Sequence, residues 1–229
     1  MSPSIVPHLV AKDLRLNSRI ILAFVLVSLV FIAILSLIWG HVPMAVMANF
    51  GFILLVGPAG TCGIVVLMKT NVVEKEKSTQ AFIMSLPITV REFTRAKLWV
   101  NLPVFGLFWA AITAVGFHFA FGRGLLPLGA VPFVTMVFLG GFVAYTGILA
   151  VSLLSQSLGI TVLCIALFEV ATSGYLWTVV FLEPIAHNIL GAEAVWNPTA
   201  IAIVVVQVLV AVSVIGVTLL VQNTKRDFI

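Results

Sequence analysis

Few side chains in this sequence could do chemistry, and those that could are scattered. Glu169 stands in the middle of a long apolar run, where an ionised carboxylate is costly unless something compensates it. If that run is helical, Thr161, Ile165, Glu169, Thr172, Ser173 and Leu176 share one face, so the carboxylate belongs to a polar stripe. His118 stands alone near the end of another apolar run and could ligate a metal or haem, or make a local hydrogen bond. Cys62 and Cys164 lie inside apolar runs with no Cys/His ligand spacing around them and read as small packing residues. There is no H-E-x-x-H, no G-x-S-x-G and no acidic pair within an apolar run, so neither a metal hydrolase nor a serine nucleophile is indicated. A phosphate-cradling G-x-x-x-x-G-K-[ST] loop is missing too.

The elements that must hold these residues follow from composition. Of 229 residues 62% are hydrophobic and 9% charged, against about 25% charged in a soluble domain. No interior of this size hides so much apolar surface, so lipid must solvate most side chains. Six stretches are long enough to cross a bilayer: 20–39, 46–68, 98–121, 131–154, 160–182 and 200–221. The fourth and fifth are separated only by the polar break from Ser155 to Gly159, which predicts two helices joined by a tight turn. The first run is full length and follows a polar, mixed-charge segment, so it is expected to stay as a span rather than be cleaved as a signal peptide.

Orientation comes from the basic residues. With six spans, Lys12, Arg15, Arg19, Lys69, Lys75, Lys77, Arg91, Arg95, Lys97, Lys225 and Arg226 fall on one side and Arg123 alone on the other, so eleven of twelve obey one topology. The positive-inside rule makes that side cytoplasmic, with both termini there, in the cell (inner or plasma) membrane. The net charge of +4 is therefore spent on topology, and a nucleic-acid partner is not expected. Ahead of the first span, residues 1–19 set Ile5, Val6, Leu9, Val10, Leu14 and Leu16 among His8, Lys12, Asp13 and Arg15, the pattern of an amphipathic helix lying in the interface. The six-span domain then occupies 20–229, with its largest cytoplasmic loop at 69–97 and its largest outer loop at 183–199.

Within that frame Glu169, Thr172, Ser173 and Thr161 have two readings: a stripe lining a translocation path or a subunit interface, or a protonated carboxyl bonded to a neighbouring helix. Gly57, Pro58 and Gly60 in the second span form a candidate hinge, because proline removes a backbone donor and glycine lets another helix approach.

The 69–97 loop is the most informative segment. It runs Glu74-Lys75-Glu76-Lys77-Ser78-Thr79, continues through a short apolar stretch to Ser85-Leu86-Pro87-Ile88-Thr89, and reaches Glu92-Phe93 and then Lys97 at the third span. Pro87 disfavours helix at Leu86, so the chain must bend there. Thr89 and Glu92 have the spacing of a capping box that would start a second helix running into span three.

This loop resembles the one between spans two and three of ABC transporter permeases of the type 2 exporter family, including the small bacterial six-span members. The likeness extends over the chain: an amphipathic N-terminal connecting helix, six spans, a short turn between spans four and five, and a broken outer hairpin closed here by Trp196-Asn197-Pro198. It implies an all-α membrane protein of type V ABC exporter-like architecture, whose 69–97 loop carries a coupling helix that docks on an ATP-binding subunit. The matching positions are Glu74, Glu76, Thr79, Leu86, Pro87, Glu92 and Lys97. It further implies two copies of a separate ATPase subunit holding ATP and Mg, and a second permease subunit, identical or paralogous. This chain itself would bind no cofactor or metal and hold no catalytic residue. The substrate would be hydrophobic or amphipathic and move outward. The competing readings are an ATP-independent carrier or channel and a membrane-embedded enzyme.

Overall fold

The computed structural model describes residues 5–74 and 89–224, and every regular element in them is helical. The helices are α1 (Val6–Leu37), α2 (Met44–Leu67), α3 (Val90–Phe117), α4 (Val131–Ser155), α5 (Leu158–Phe181), α6 (Glu183–Ile189) and α7 (Pro198–Thr224). α2 and α3 each run on into a π-helical turn, Met68–Val73 and His118–Gly122. All but the short α6 are long and apolar enough to cross a membrane, giving the six spans expected. Glu76, Thr79, Leu86 and Pro87 lie outside the described residues.

One expectation is corrected. The N-terminal amphipathic segment is not a separate interfacial helix, because α1 runs unbroken from Val6 to Leu37. Nothing in the sequence would break it: beyond Pro7, in its first turn, it contains neither glycine nor proline. Part of its apolar side is covered by protein, with Leu9, Ile5, Val6 and Val10 packed against Phe93 and Ala96 of α3, while Leu14 and Leu16 stay exposed.

Side-chain bonds fix which helix ends lie together. Lys12 of α1 meets Glu74 beyond α2, and Lys97 of α3 meets Asp13 of α1. Asn71 donates to Ser152 Oγ near the end of α4, and Gln222 near the end of α7 donates to the Leu153 carbonyl. Both described chain ends therefore sit at one end of the bundle, which also carries every described basic residue except Arg123. At the far end Arg123 lies over Trp39 and Phe119, and the Gly129 amide donates to the Gly191 carbonyl.

Local chemistry explains the joints. α4 stops at Ser155 because Gln156 adopts a left-handed conformation (φ 47°) and Ser157 an extended one, and α5 begins at once at Leu158. That is the predicted tight turn. The capping box at the start of α3 is also formed: the Glu92 amide donates to Thr89 Oγ1 at 3.2 Å, and the Glu92 carboxylate accepts from the Thr89 amide at 2.9 Å. Before α7, Asn197 donates to the Pro184 carbonyl at 2.6 Å while its Oδ1 accepts from the Ala200 amide at 2.8 Å, stitching the far-end hairpin closed.

The core is aromatic. Phe105 stacks on Tyr145 with centroids 3.7 Å apart and on Trp109 at 5.2 Å, and the Trp109 indole donates to the Phe138 carbonyl. Gly63 makes room for this stack, since a Cβ there would overlap the Phe105 ring and lie 2.9 Å from Tyr145. At Gly57 and Gly60, where a close helix approach was expected, an added Cβ would meet nothing within 4 Å, and α2 stays helical through Pro58.

Gly63→Ala should accordingly destabilise the protein by about 1–3 kcal/mol through overpacking. Gly57→Ala should be neutral or stabilising by up to about 1 kcal/mol from helix propensity alone. Thermal unfolding in one detergent, followed by tryptophan emission, checks both.

Candidate functional site

Two features stand apart from the apolar packing: an ion cluster at the basic end and a cavity at mid-bundle. The cluster is centred on Lys97, the largest fully buried side chain, 2% exposed. Its ammonium donates to Asp13 Oδ2 at 2.7 Å and to Glu74 Oε2 at 2.5 Å. Lys12 reaches Glu74 Oε1 at 2.9 Å and lies 3.2 Å from Asp13 Oδ1, outside hydrogen-bond geometry. Two ammoniums and two carboxylates balance, which is the condition for keeping such charges out of water. The four come from α1, from the chain just beyond the π turn of α2, and from the first turns of α3, so the cluster joins three elements at one point.

A buried polar network continues from it toward mid-bundle. Asn101, one turn along α3, donates to the Lys97 carbonyl at 2.9 Å and to Thr70 Oγ1 at 3.1 Å. Tyr145 of α4 donates to the Asn101 carbonyl at 3.3 Å. Thr70 and Asn71 belong to the π turn, and such turns concentrate where a helix has to present groups that an ideal helix would turn away.

Tyr145 is also part of the cavity wall. That cavity, about 500 Å³, lies between α2, α3, α4 and α5 and is faced by Thr61, Phe105, Trp109 and Phe168 as well as Glu169, Thr172 and Ser173. Glu169 is the one charged residue of the lining, and among the described residues it has no hydrogen-bond or ion-pair partner. A second, wholly apolar pocket of about 260 Å³ adjoins it toward the far end, and Phe52, Val137 and Leu176 line both.

The expected site residues thus separate. Glu169, Thr172 and Ser173 come together on the cavity wall, and Gly57 and Gly60 face them across it from α2. Thr161 does not join them: it is buried near the turn and donates to the Ser157 carbonyl at 2.8 Å. Glu92 is at the exposed start of α3, whereas Lys97 and Glu74 are committed to the ion cluster, so the Lys97 ammonium is out of reach of any partner surface. His118 begins the second π turn with its ring against Gly122. Among the described residues no three His, Cys, Asp or Glu side chains gather to hold a metal ion, and both cysteines are free.

Sequence reasoning missed Asp13, reading it as part of a solvated face. The signal was there: Leu9, Asp13 and Asn17 recur every fourth residue and are all buried, with Asn17 donating to the Asp13 carbonyl. Phe105, Trp109 and Tyr145 carry no such signal, since every span is rich in aromatic and aliphatic residues.

No protein-family model, no curated protein and no solved structure matches the chain.

Lys97→Met should destabilise the protein by roughly 3–5 kcal/mol, because it leaves Asp13 and Glu74 competing for Lys12 alone. Adding Asp13→Asn leaves one balanced pair, Lys12 and Glu74, and should recover much of that loss. Unfolding midpoints of the two single variants and the double variant, measured as a cycle, test this coupling.

Proposed function

We propose that this chain is the membrane-spanning permease subunit of an ATP-driven exporter, with ATP and Mg held and hydrolysed by a separate subunit docked on the 69–97 loop. The observation that carries this is the anchoring of that loop. Glu74 at its start and Lys97 at its end belong to one buried ion cluster with Asp13 of α1, and the Thr89–Glu92 box gives α3 a defined beginning. A push on such a loop is delivered to three helices together. The Lys97–Asn101–Tyr145 network then leads to the wall of the cavity, where a substrate would sit.

On this reading the basic end is cytoplasmic, and direct contacts to two ATPase subunits come from Glu76, Thr79, Leu86, Pro87 and the exposed Glu92. Glu74 and Lys97 act by positioning the loop. A second permease subunit, identical or paralogous, covers α5, whose only buried residues are Thr161 and Val179 and which carries the exposed Glu169. Two such halves enclose one path from the cytoplasm or inner leaflet outward.

A second reading, an ATP-independent carrier, draws support from Glu169, the one carboxylate of the central cavity wall, which has no ion-pair partner among the described residues. Co-purification separates the two. Expressed with the ATP-binding proteins encoded beside it, the tagged chain should retain one of them, and Leu86→Asp should abolish that retention. Glu92→Ala, which removes the reciprocal half of the capping box at Thr89, should weaken it. If no ATPase is retained and neither variant changes anything, the exporter reading is lost. Transport that follows a pH gradient without nucleotide would install the carrier in its place.

A further inference from the structure

We infer that the central cavity takes a cationic amphiphile, its positive group against Glu169 and its apolar tail in the adjoining far-end pocket. This rests on reading the cavity as the translocation path. The volume, about 500 Å³, is that of a site for a drug-sized molecule. Its chemistry is one-sided. The lining offers one carboxylate, the hydroxyls of Thr61, Thr172 and Ser173, and aromatic rings, with no basic side chain among the described residues. An anion entering it would meet Glu169 with nothing to offset the repulsion. A neutral molecule would leave the carboxylate as costly as before. A cation satisfies the carboxylate, which has no partner among the described residues.

The direction of the molecule follows from the second pocket. Its walls are apolar, among them Leu35, Met47, Leu126 and Val134, and it meets the central cavity at Phe52, Val137 and Leu176, the side chains a tail would have to pass. A cationic head has no station there, because the rings of Trp39 and Phe119 already hold the Arg123 guanidinium at 5.6 and 5.5 Å. Head at Glu169 and tail toward the far end is the arrangement that satisfies both pockets.

The test is equilibrium binding of radiolabelled probes to the full chain in phosphatidylcholine nanodiscs, with uptake into empty discs subtracted. Tetraphenylphosphonium and tetraphenylborate are nearly the same size and shape but opposite in charge. The phosphonium should bind saturably and the borate should not. Decyltriphenylphosphonium, which adds a tail, should bind more tightly than tetraphenylphosphonium. Glu169→Gln should weaken phosphonium binding by about tenfold, while Glu169→Asp should largely preserve it. Leu126→Trp, which fills the far-end pocket, should remove the advantage of the decyl chain over tetraphenylphosphonium.

Equal binding of phosphonium and borate by the unaltered chain would overturn the inference without recourse to any variant. So would full phosphonium affinity in Glu169→Gln, which would mean that the carboxylate does not hold the cation. No ATPase enters the experiment. Its failure therefore leaves the exporter reading standing, and loss of ATPase retention leaves a measured cation site standing.

Discussion

An ammonium placed where water cannot reach it has to be met by carboxylates, and the burial of Lys97 organises one whole end of this protein. Asp13 and Glu74 come from helices whose other mutual contacts are largely apolar, and the ion pairs add a directional constraint to that packing. The charges supply the register. They do so at a single point, because displacing any of the three elements separates unlike charges in a medium that screens poorly. Hydrophobic replacements of the whole cluster could be as stable, so what it supplies is position more than stability.

The rest of the bundle divides between what is packed tightly and what is not. Around Phe105, Tyr145 and Trp109 the rings stack, and Gly63 gives up its side chain to admit them. One turn earlier on the same helix, Gly60 and Gly57 face open space. The same residue type thus serves contact in one place and vacancy in the other, and the vacancy lies opposite the one carboxylate of the cavity. α5 is the span least held by its own chain, and Glu169 and Ser173, which it contributes to the cavity wall, are exposed.

Much of this was legible in the sequence, for reasons that can be named. Six spans follow from lengths of apolar run, which the bilayer thickness makes almost the sole requirement. The turn at Gln156 was visible because no single helix could use so long a run, and the box at Thr89 and Glu92 because capping needs a fixed spacing. The unbroken α1 was not foreseen: amphipathic spacing tells which face of a helix is apolar, but not whether lipid headgroups or α3 will cover it. The burial of Lys97 was hidden for a similar reason, since a charged residue at the edge of a span reads as a topology signal unless its partners, 84 and 23 residues away, are known. Glycines posed the same problem, because sequence marks where a close approach is allowed and only packing decides whether one occurs.

The clasp formed by Glu74, Asp13 and Lys97 has a consequence for how the protein can diversify. It joins the ends of the segment between α2 and α3 at its base, and closure entropy grows only with the logarithm of the length between two joined ends. The residues from 75 to 88 can therefore change in number and kind while the helices in the membrane keep their heights. The inheritance that has to stay fixed is the set of four charges, Lys12 included.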